Sequence, residues 1–285
     1  MENKINIRLH RNEDIKFLLE MTSEEGWSFS EIDCSASLKA DPKGLLVAED
    51  ETGLPTGFIG LFNMSPNMTY VNVFVVRKDM RGRGIGKKLW AAMLEATKDN
   101  ILVLDGISDM KEWYKQQGFS YEGYRAIFCQ GTISSNETAS LQNSYNIVPL
   151  SDDIWPALIA YDKQVYPYSR ERALQAWFYG ADRYSVVALL DKCVVGYVNC
   201  HWKSEKKCNI RALNADNDVI AEALLSNLLN NISLGSVVSF NLLGDKPIPK
   251  CLPEIKSFKY VHRLFTKGMP GIRSEKIFFP TAHMI

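Results

Sequence analysis

Residues 71–90 read VNVFVVRKDMRGRGIGKKLW. A run of β-branched and aromatic residues from Val71 to Val76, interrupted only by Asn72, has the make-up of a buried strand. It stops at a basic patch in which Gly82, Gly84 and Gly86 stand at alternate positions, and an amphipathic stretch, LWAAMLEA, takes over as a helix. Glycine reaches φ > 0 at little cost and lets another molecule approach the backbone. A helix that opens from such a loop presents unpaired N–H groups at the positive end of its dipole. With Arg81, Arg83, Lys87 and Lys88 around it, the segment reads as an anion cradle, most simply for phosphate. The plain alternative is a tight turn with a solvated basic face. Three alternating glycines and four basic residues together favour the cradle.

Two well-known phosphate loops do not fit. The GxxxxGK[ST] loop needs one more residue between Gly82 and Gly86, and Lys88 stands where its hydroxyl should be. The dinucleotide loop GxGxxG follows a first strand, whereas this one follows several elements and is spaced GxGxG.

Outward from this segment the order of elements becomes legible. Upstream lie a short strand at 5–9, a helix at 11–25 ending at Gly26, and a helix at 31–40 with Ser30 as its N-cap. Strands follow at 44–50, 56–64 and 68–76. Downstream of the helix at 84–97 come a strand at 101–105, a helix at 108–117 closed by Gly118, and strand material at 119–130. Residues 132–144 are polar and aperiodic and read as a linker. A second series then repeats the order of the first. Gly57 stands 62 positions before Phe119, and Gly196 stands 62 before Phe258, so two landmarks of the repeat keep their spacing.

The totals limit the function classes. Lys+Arg and Asp+Glu are equal at 33 each, which argues against a nucleic-acid or anionic-membrane partner. No apolar run approaches the roughly 18 residues of a membrane span, and the N-terminus has no apolar core for a signal peptide, so a cytoplasmic place is expected. Six scattered cysteines without a CxxC pattern read as reduced thiols, mostly in strands. Four scattered histidines offer no metal-ligand spacing, and no metal is expected.

Arg81-Gly82-Arg83-Gly84-Ile85-Gly86 resembles motif A of the GNAT N-acetyltransferase superfamily, [QR]xxGx[GA] after a strand. The order of elements is similar to that family's. SDMKEWYKQQGF resembles its late helix, with Tyr114 four positions before Gly118-Phe119. The likeness spans roughly 5–130. Gly26-Trp27, Asp41 to Gly44 (DPKG) and LIAYDKQVY at 158–166 extend it toward a two-domain subgroup whose second domain is a degenerate acetyltransferase-like repeat. The fold implied is α/β (α+β, mixed sheet): tandem GNAT-like acyl-CoA N-acyltransferase folds, with an acetyl-CoA-binding domain at 1–131 and a degenerate one at 145–285.

The resemblance also implies a mechanism. The amides of Gly82, Arg83, Gly84, Ile85, Gly86 and Lys87 would hold a pyrophosphate, beside Arg81. The backbone of Phe74, Val75 and Val76 would pair with the pantetheine arm of acetyl-CoA, with one amide, Val76's, on the thioester carbonyl. Tyr114 would protonate the departing thiolate. Some members carry a glutamate base on the strand before motif A, and Tyr70 stands there in this chain; Glu25 and Glu49 remain open as bases, as does water. Trp27, Tyr70 and Asn72 are candidates for the acceptor site, alongside ordinary packing. The second repeat reads IRALNADNDVIAEALL where the cradle would lie, without a glycine, so no second acetyl-CoA is expected. The function expected is transfer of acetyl to a primary amine of a small molecule. The alternative is a non-enzymatic acyl-CoA sensor; a protein-lysine acetyltransferase has little support.

Overall fold

The computed structural model describes residues 4–27, 29–133, 145–244, 246–252 and 255–280. The chain divides into two compact units, Met1–Leu104 and Asp105–Ile285.

In the first unit, β1 (Asn6–Leu9), β2 (Leu45–Glu49), β3 (Pro55–Ser65) and β4 (Met68–Val76) form an antiparallel run, and the start of β5 (Ile101–Ile107) lies parallel to β4. The helices are α1 (Ile15–Glu24), α2 (Glu31–Ala40) and α3 (Ile85–Ala96). Leu18, Met21 and Cys34 from α1 and α2 pack on Leu45, Val47, Phe58, Val73 and Val75. Each such buried aliphatic or aromatic side chain contributes roughly 1.5–3 kcal/mol of transfer free energy. Successive strand residues face opposite ways. Phe74, next to Val75, therefore looks to the other face, where its ring lies 5.4 Å from Trp90 of α3. Ser30 caps α2 as expected: its hydroxyl accepts from the Asp33 amide, and the Asp33 carboxylate accepts from the Ser30 amide at 2.9 Å.

The position of the site depends on β4. Phe58 pairs with Val75 and Gly60 with Asn72, so Ile59 faces two residues, Val73 and Phe74. This is a β-bulge, and Val73 takes φ +43 within it. A bulge bends and over-twists its strand. Accordingly β4 pairs with β5 only from Met68 to Tyr70 and then parts from it. Its last six residues have β3 on one edge and, among the described residues, no strand on the other.

The second unit begins within β5 and contains α4 (Lys111–Gln116), β6 (Tyr121–Thr132), β7 (Asn146–Pro149), α5 (Trp155–Val165), α6 (Glu171–Phe178), β8 (Arg183–Leu190), β9 (Cys193–Ser204), β10 (Lys207–Ala215), α7 (Asp218–Asn230), β11 (Val237–Leu243), β12 (Ile255–Phe265) and β13 (Ile277–Phe279). Strand order is β12-β6-β11-β10-β9-β8-β7, with β13 on β10. Asp191 and Lys192, at φ +47 and +67, make the two-residue turn between β8 and β9. The helix expected to open at Ser151 or Asp152 starts instead at Trp155. A turn in which the Ile154 and Trp155 amides both donate to the Ser151 carbonyl precedes it. The expected helix 108–117 is a 3₁₀ turn, Ser108–Met110, followed by α4, and Gly118 ends it at φ +96. Cys34 is helical and Cys251 lies in a turn, two exceptions to cysteines in strands, and all six thiols are free.

The repeat read from the sequence and the compact units do not coincide at residue 131. β6 closes the first repeat in sequence, yet it bonds to β11 on one edge and β12 on the other, so it folds with the second unit. Of the linker at 132–144, Thr132 ends β6, and 134–144 lie outside the described residues.

The repeat itself holds in register. The 139 positions from Gly57 to Gly196 recur along the third and fourth strands of each repeat and shorten to 136 at the next, where Ile101 and Val237 hold matching places. Gly57 pairs with Val76 and Gly196 with Ala215. The Arg77 amide donates to Thr56 O, and the Asp216 amide to Val195 O. A Cβ on Gly57 would meet Val75 O at 2.9 Å and Leu89 at 3.1 Å; one on Gly196 would meet Asn214 O and Leu224, both at 2.9 Å. In both repeats a glycine lets the helix after the fourth strand lie close on the hairpin. β10 also carries one extra residue, Arg211, and pairs with β11 only from Lys207 to Asn209. Among the described residues no helix is long and apolar enough to cross a membrane.

Candidate active site

The segment from Arg77 to Gly84 joins β4 to α3. Its first part is a 3₁₀ turn, Lys78–Met80, held by the Arg77 guanidinium on the Asp79 carboxylate at 2.7 and 3.2 Å, with Met80 buried beneath. The Arg77 side chain pulls the exposed Asp79 carboxyl below its ordinary range. Gly82 and Gly84 follow at φ +77 each, and Gly84 is the N-cap of α3. A side chain is strained at such a φ. A Cβ added at either glycine would meet nothing within 4 Å, so the space above them is open.

No side chain caps α3, and its first intrahelical bond runs from the Lys88 amide to Gly84 O. The amides of Ile85, Gly86 and Lys87 therefore have no partner in their own helix. Gly86 differs from Gly82 and Gly84: a Cβ there would lie 3.4 Å from the Phe74 ring, an ordinary contact, where the helix rests on β4. Arg81, Arg83, Lys87 and Lys88 are all exposed around the opening. The donor set, open backbone amides ringed by cations, suits a pyrophosphate.

Arg81 has a second task. Its Nε donates to Val76 O at 3.0 Å, and its Nη2 donates to the Glu25 carboxylate at 2.6 Å. Lys78 stands 3.8 Å from the same carboxylate and donates to Glu24 O at 2.9 Å. The guanidinium thus ties the cradle to the end of β4 and to the end of α1. Sequence reasoning left Glu25 open as a base; the structure gives it a positional role. Glu49 is likewise engaged, by Asn6 and Arg8, which hold its carboxyl below the ordinary range.

Because the Arg77 amide points to β3, strand alternation sends the Val76 amide to the opposite, unpaired edge of β4. Phe74, Val75 and Val76 thus lie along the edge of β4 past the point where its pairing with β5 ends. Tyr70 and Asn72 stand at that point. Tyr70 is 2% exposed, opposite Phe62, and Asn72 is half-buried opposite Gly60. Trp27, just past α1, is 42% exposed.

Tyr114 belongs to the second unit. It sits on α4 between Trp113, whose ring centroid is 5.1 Å away, and Phe119, at 6.2 Å. Burial raises its phenol above the ordinary value, so it stays protonated. Lys111 and Lys115 of the same helix hold Glu122, whose carboxyl falls to about 2.

The second repeat contains what sequence reasoning passed over as an amphipathic helix pair. Arg170 makes a two-point contact with Asp162 at 3.0 and 2.6 Å, with both side chains buried. Tyr197 donates to Asp162 at 2.6 Å, Asn214 donates to Tyr197, and Arg170 lies 3.5 Å over the Tyr166 ring. The signal was present: Asp162 falls among the buried residues of α5, with Leu158 and Ile159, and Arg170 immediately precedes α6, which buries Leu174 and Trp177. No group of three or more His, Cys, Asp or Glu placed to hold a metal occurs among the described residues.

Comparison with known proteins bears on the domain and the fold. Residues 41–121 match the model of the acetyltransferase (GNAT) domain. The chain is 23% identical over 233 residues to the holothin acyltransferase of Pseudoalteromonas sp. (strain SANK 73390), covering 80% of this chain and 76% of that one. A putative acetyltransferase from Pyrococcus horikoshii superposes with a TM-score of 0.78 at 17% identity, covering 98% of this chain and 95% of that one. A tandem GNAT protein from the clavulanic acid biosynthesis pathway gives 0.64 at 14% identity, covering 94% and 100%. The two structural likenesses concern the fold, which is a mixed α/β arrangement of the GNAT type.

Proposed function

We propose, for a chain that carries a GNAT acetyltransferase domain and is an acyltransferase, that it moves an acetyl group from acetyl-CoA to a primary amine of a small molecule by direct attack in a ternary complex. The observation that carries this is the open cradle at Gly82–Lys87 beside the unpaired edge of β4. In this reading the amides of Gly82 to Lys87 hold the pyrophosphate, and the edge at Phe74 to Val76 aligns the pantetheine arm. The Val76 amide donates to the thioester oxygen as it gains charge, and a donor fixed in advance costs no reorganisation at that moment. Holding both reactants in place removes much of the entropic barrier. Tyr114, kept protonated by burial, supplies the proton that the leaving thiolate takes up.

Glu25 and Glu49 are both tied to basic side chains, which favours water as the route for the amine's proton. Asn72 and Tyr70, at the branch of β4 and β5, and Trp27 are the acceptor-side candidates. A relative named for acylating holothin is in line with a small-molecule acceptor. The cytoplasm supplies acetyl-CoA and is the place this reading expects.

The test is release of the CoA thiol over a panel of amino acids, polyamines, aminosugars and peptide N-termini. At least one small amine is expected to raise release well above hydrolysis. Saturable acetyl-CoA binding with no amine-dependent release across the panel would turn the reading to an acyl-CoA sensor.

A further inference from the structure

In the second repeat the edge of β10 that corresponds to the open edge of β4 is already taken. β10 has β9 on one side. On the other, β11 pairs parallel with Lys207 to Asn209 and then departs, as β5 departs from β4. Beyond that point β13 enters and pairs antiparallel with β10, Phe279 with Leu213 and Ile277 with Asn214. By the 139-residue register Leu213 and Asn214 correspond to Phe74 and Val75.

We infer that β13 is a built-in occupant of the second repeat's groove, standing where an extended acyl-CoA arm would lie, so that this repeat is closed to acyl-CoA by the chain itself. The inference rests on the donor-site reading above for what the open groove of the first repeat takes. An extended strand is a fitting substitute for a pantetheine arm, since both offer amide donors and acceptors along a line to a strand edge.

Three contacts hold the occupant in place. The Phe279 ring stacks on Phe240 of β11 at 4.3 Å between centroids. Ile277, Phe278 and Phe279 are all buried. The Lys276 ammonium sits 2.6 Å from Asp216. Asp216 corresponds to Arg77, the first residue of the cradle segment, so the strap is pinned at the mouth where a pyrophosphate would enter. There the loop has also been lost. Only Asp216 and Asn217 separate β10 from α7, and the Asn217 carboxamide oxygen takes the Ile220 amide at 3.0 Å. The helix end that would bind an anion is capped by its own chain, so loop, cap and strap close the same groove.

Residue-resolved hydrogen exchange on the full chain, with and without saturating acetyl-CoA, tests this. Strand alternation from Asp216, whose amide goes to Val195, directs the Leu213 amide to β13. The Leu213 amide is expected to exchange slowly in both states, with no change on adding acetyl-CoA. The Val76 amide is expected to slow about tenfold or more with the ligand. Lys276→Ala should speed exchange at Leu213 several-fold while leaving the acetyl-CoA response at Val76 intact. Fast exchange at Leu213 in the free protein, or protection there that appears only with acetyl-CoA, would overturn the inference. Absence of any response at Val76 would overturn the donor-site reading instead, with Leu213 still reporting on the strap.

Discussion

The two strand-to-helix passages of this chain start from one plan and end differently. From Val76 to Ile85 the first repeat uses eight residues, 77–84, two of them glycines at φ +77. From Ala215 to Asp218 the second uses two, with an asparagine cap. The flanking architecture is the same down to the glycine that seats the helix against the hairpin. The comparison shows that the splayed strands and the packed helix belong to the fold. On the proposed function, binding lies in what the loop leaves unfilled. A helix N-terminus must find partners for its first amides. Asn217 supplies one from within, whereas Gly84 has no side chain to supply, and in the function proposed above the pyrophosphate takes that place.

The layers beneath the two passages differ as well. Phe58 and Val75 pair within an apolar core in the first repeat. The corresponding pair in the second is Tyr197 and Asn214, joined to the Arg170–Asp162 ion pair. Taking two charges out of water costs several kcal/mol per ion, and their attraction offsets this only with good geometry and further hydrogen bonds. Tyr197 and the two-point contact supply those bonds. The network keeps α5 and α6 in one arrangement on β9.

The comparison can be sharpened first at Tyr114. Between β11 and β12, where α4 would recur, no helix stands among the described residues, so α4 and its phenol have no counterpart there. Tyr114→Phe keeps the ring beside Trp113 and Phe119 and removes only the hydroxyl. General acid catalysis contributes about 10²–10⁴-fold, and the single-turnover rate is expected to fall by that order with acetyl-CoA affinity unchanged. A folded variant that turns over like the parent would reduce Tyr114 to a packing residue.

A smaller effect is expected from Gly57→Ala and Gly196→Ala. Each places a Cβ 2.9 Å from a backbone carbonyl and close to a helix leucine. Overpacking of this kind costs about 1–3 kcal/mol, so both variants should melt at lower temperature. Only Gly57→Ala, which lies behind Val76, should also weaken acetyl-CoA binding. Equal loss of affinity from both substitutions would break the comparison.

Much of this was legible in the sequence for local reasons. The bounds of β4 and α2 and the Ser30 cap follow from period and capping chemistry, which act over a few residues. The turn into α3 was legible because glycines at Gly82 and Gly84 have a local conformational cause. The partnership of β6 with β11 and β12 was not, since a strand's pattern states which face is buried and leaves its neighbours open. The bond from Arg81 to Glu25 spans 56 positions and has no local signal. The same holds for β13: a three-residue apolar run gives no hint that it fills a groove between β10 and β11.

The central claim is that one open cradle, at Gly82–Lys87, receives the acyl donor. Calorimetric titration of the full chain with acetyl-CoA, beside a Gly84→Glu variant whose fold is checked by circular dichroism, tests it most directly. Strain at a left-handed position costs roughly 1–2 kcal/mol, so the variant should remain folded. One equivalent of acetyl-CoA per chain is predicted for the parent and none for Gly84→Glu, where a carboxylate enters the open space above the helix end. Unchanged affinity in the folded variant, or a second equivalent that survives the substitution, would contradict the account.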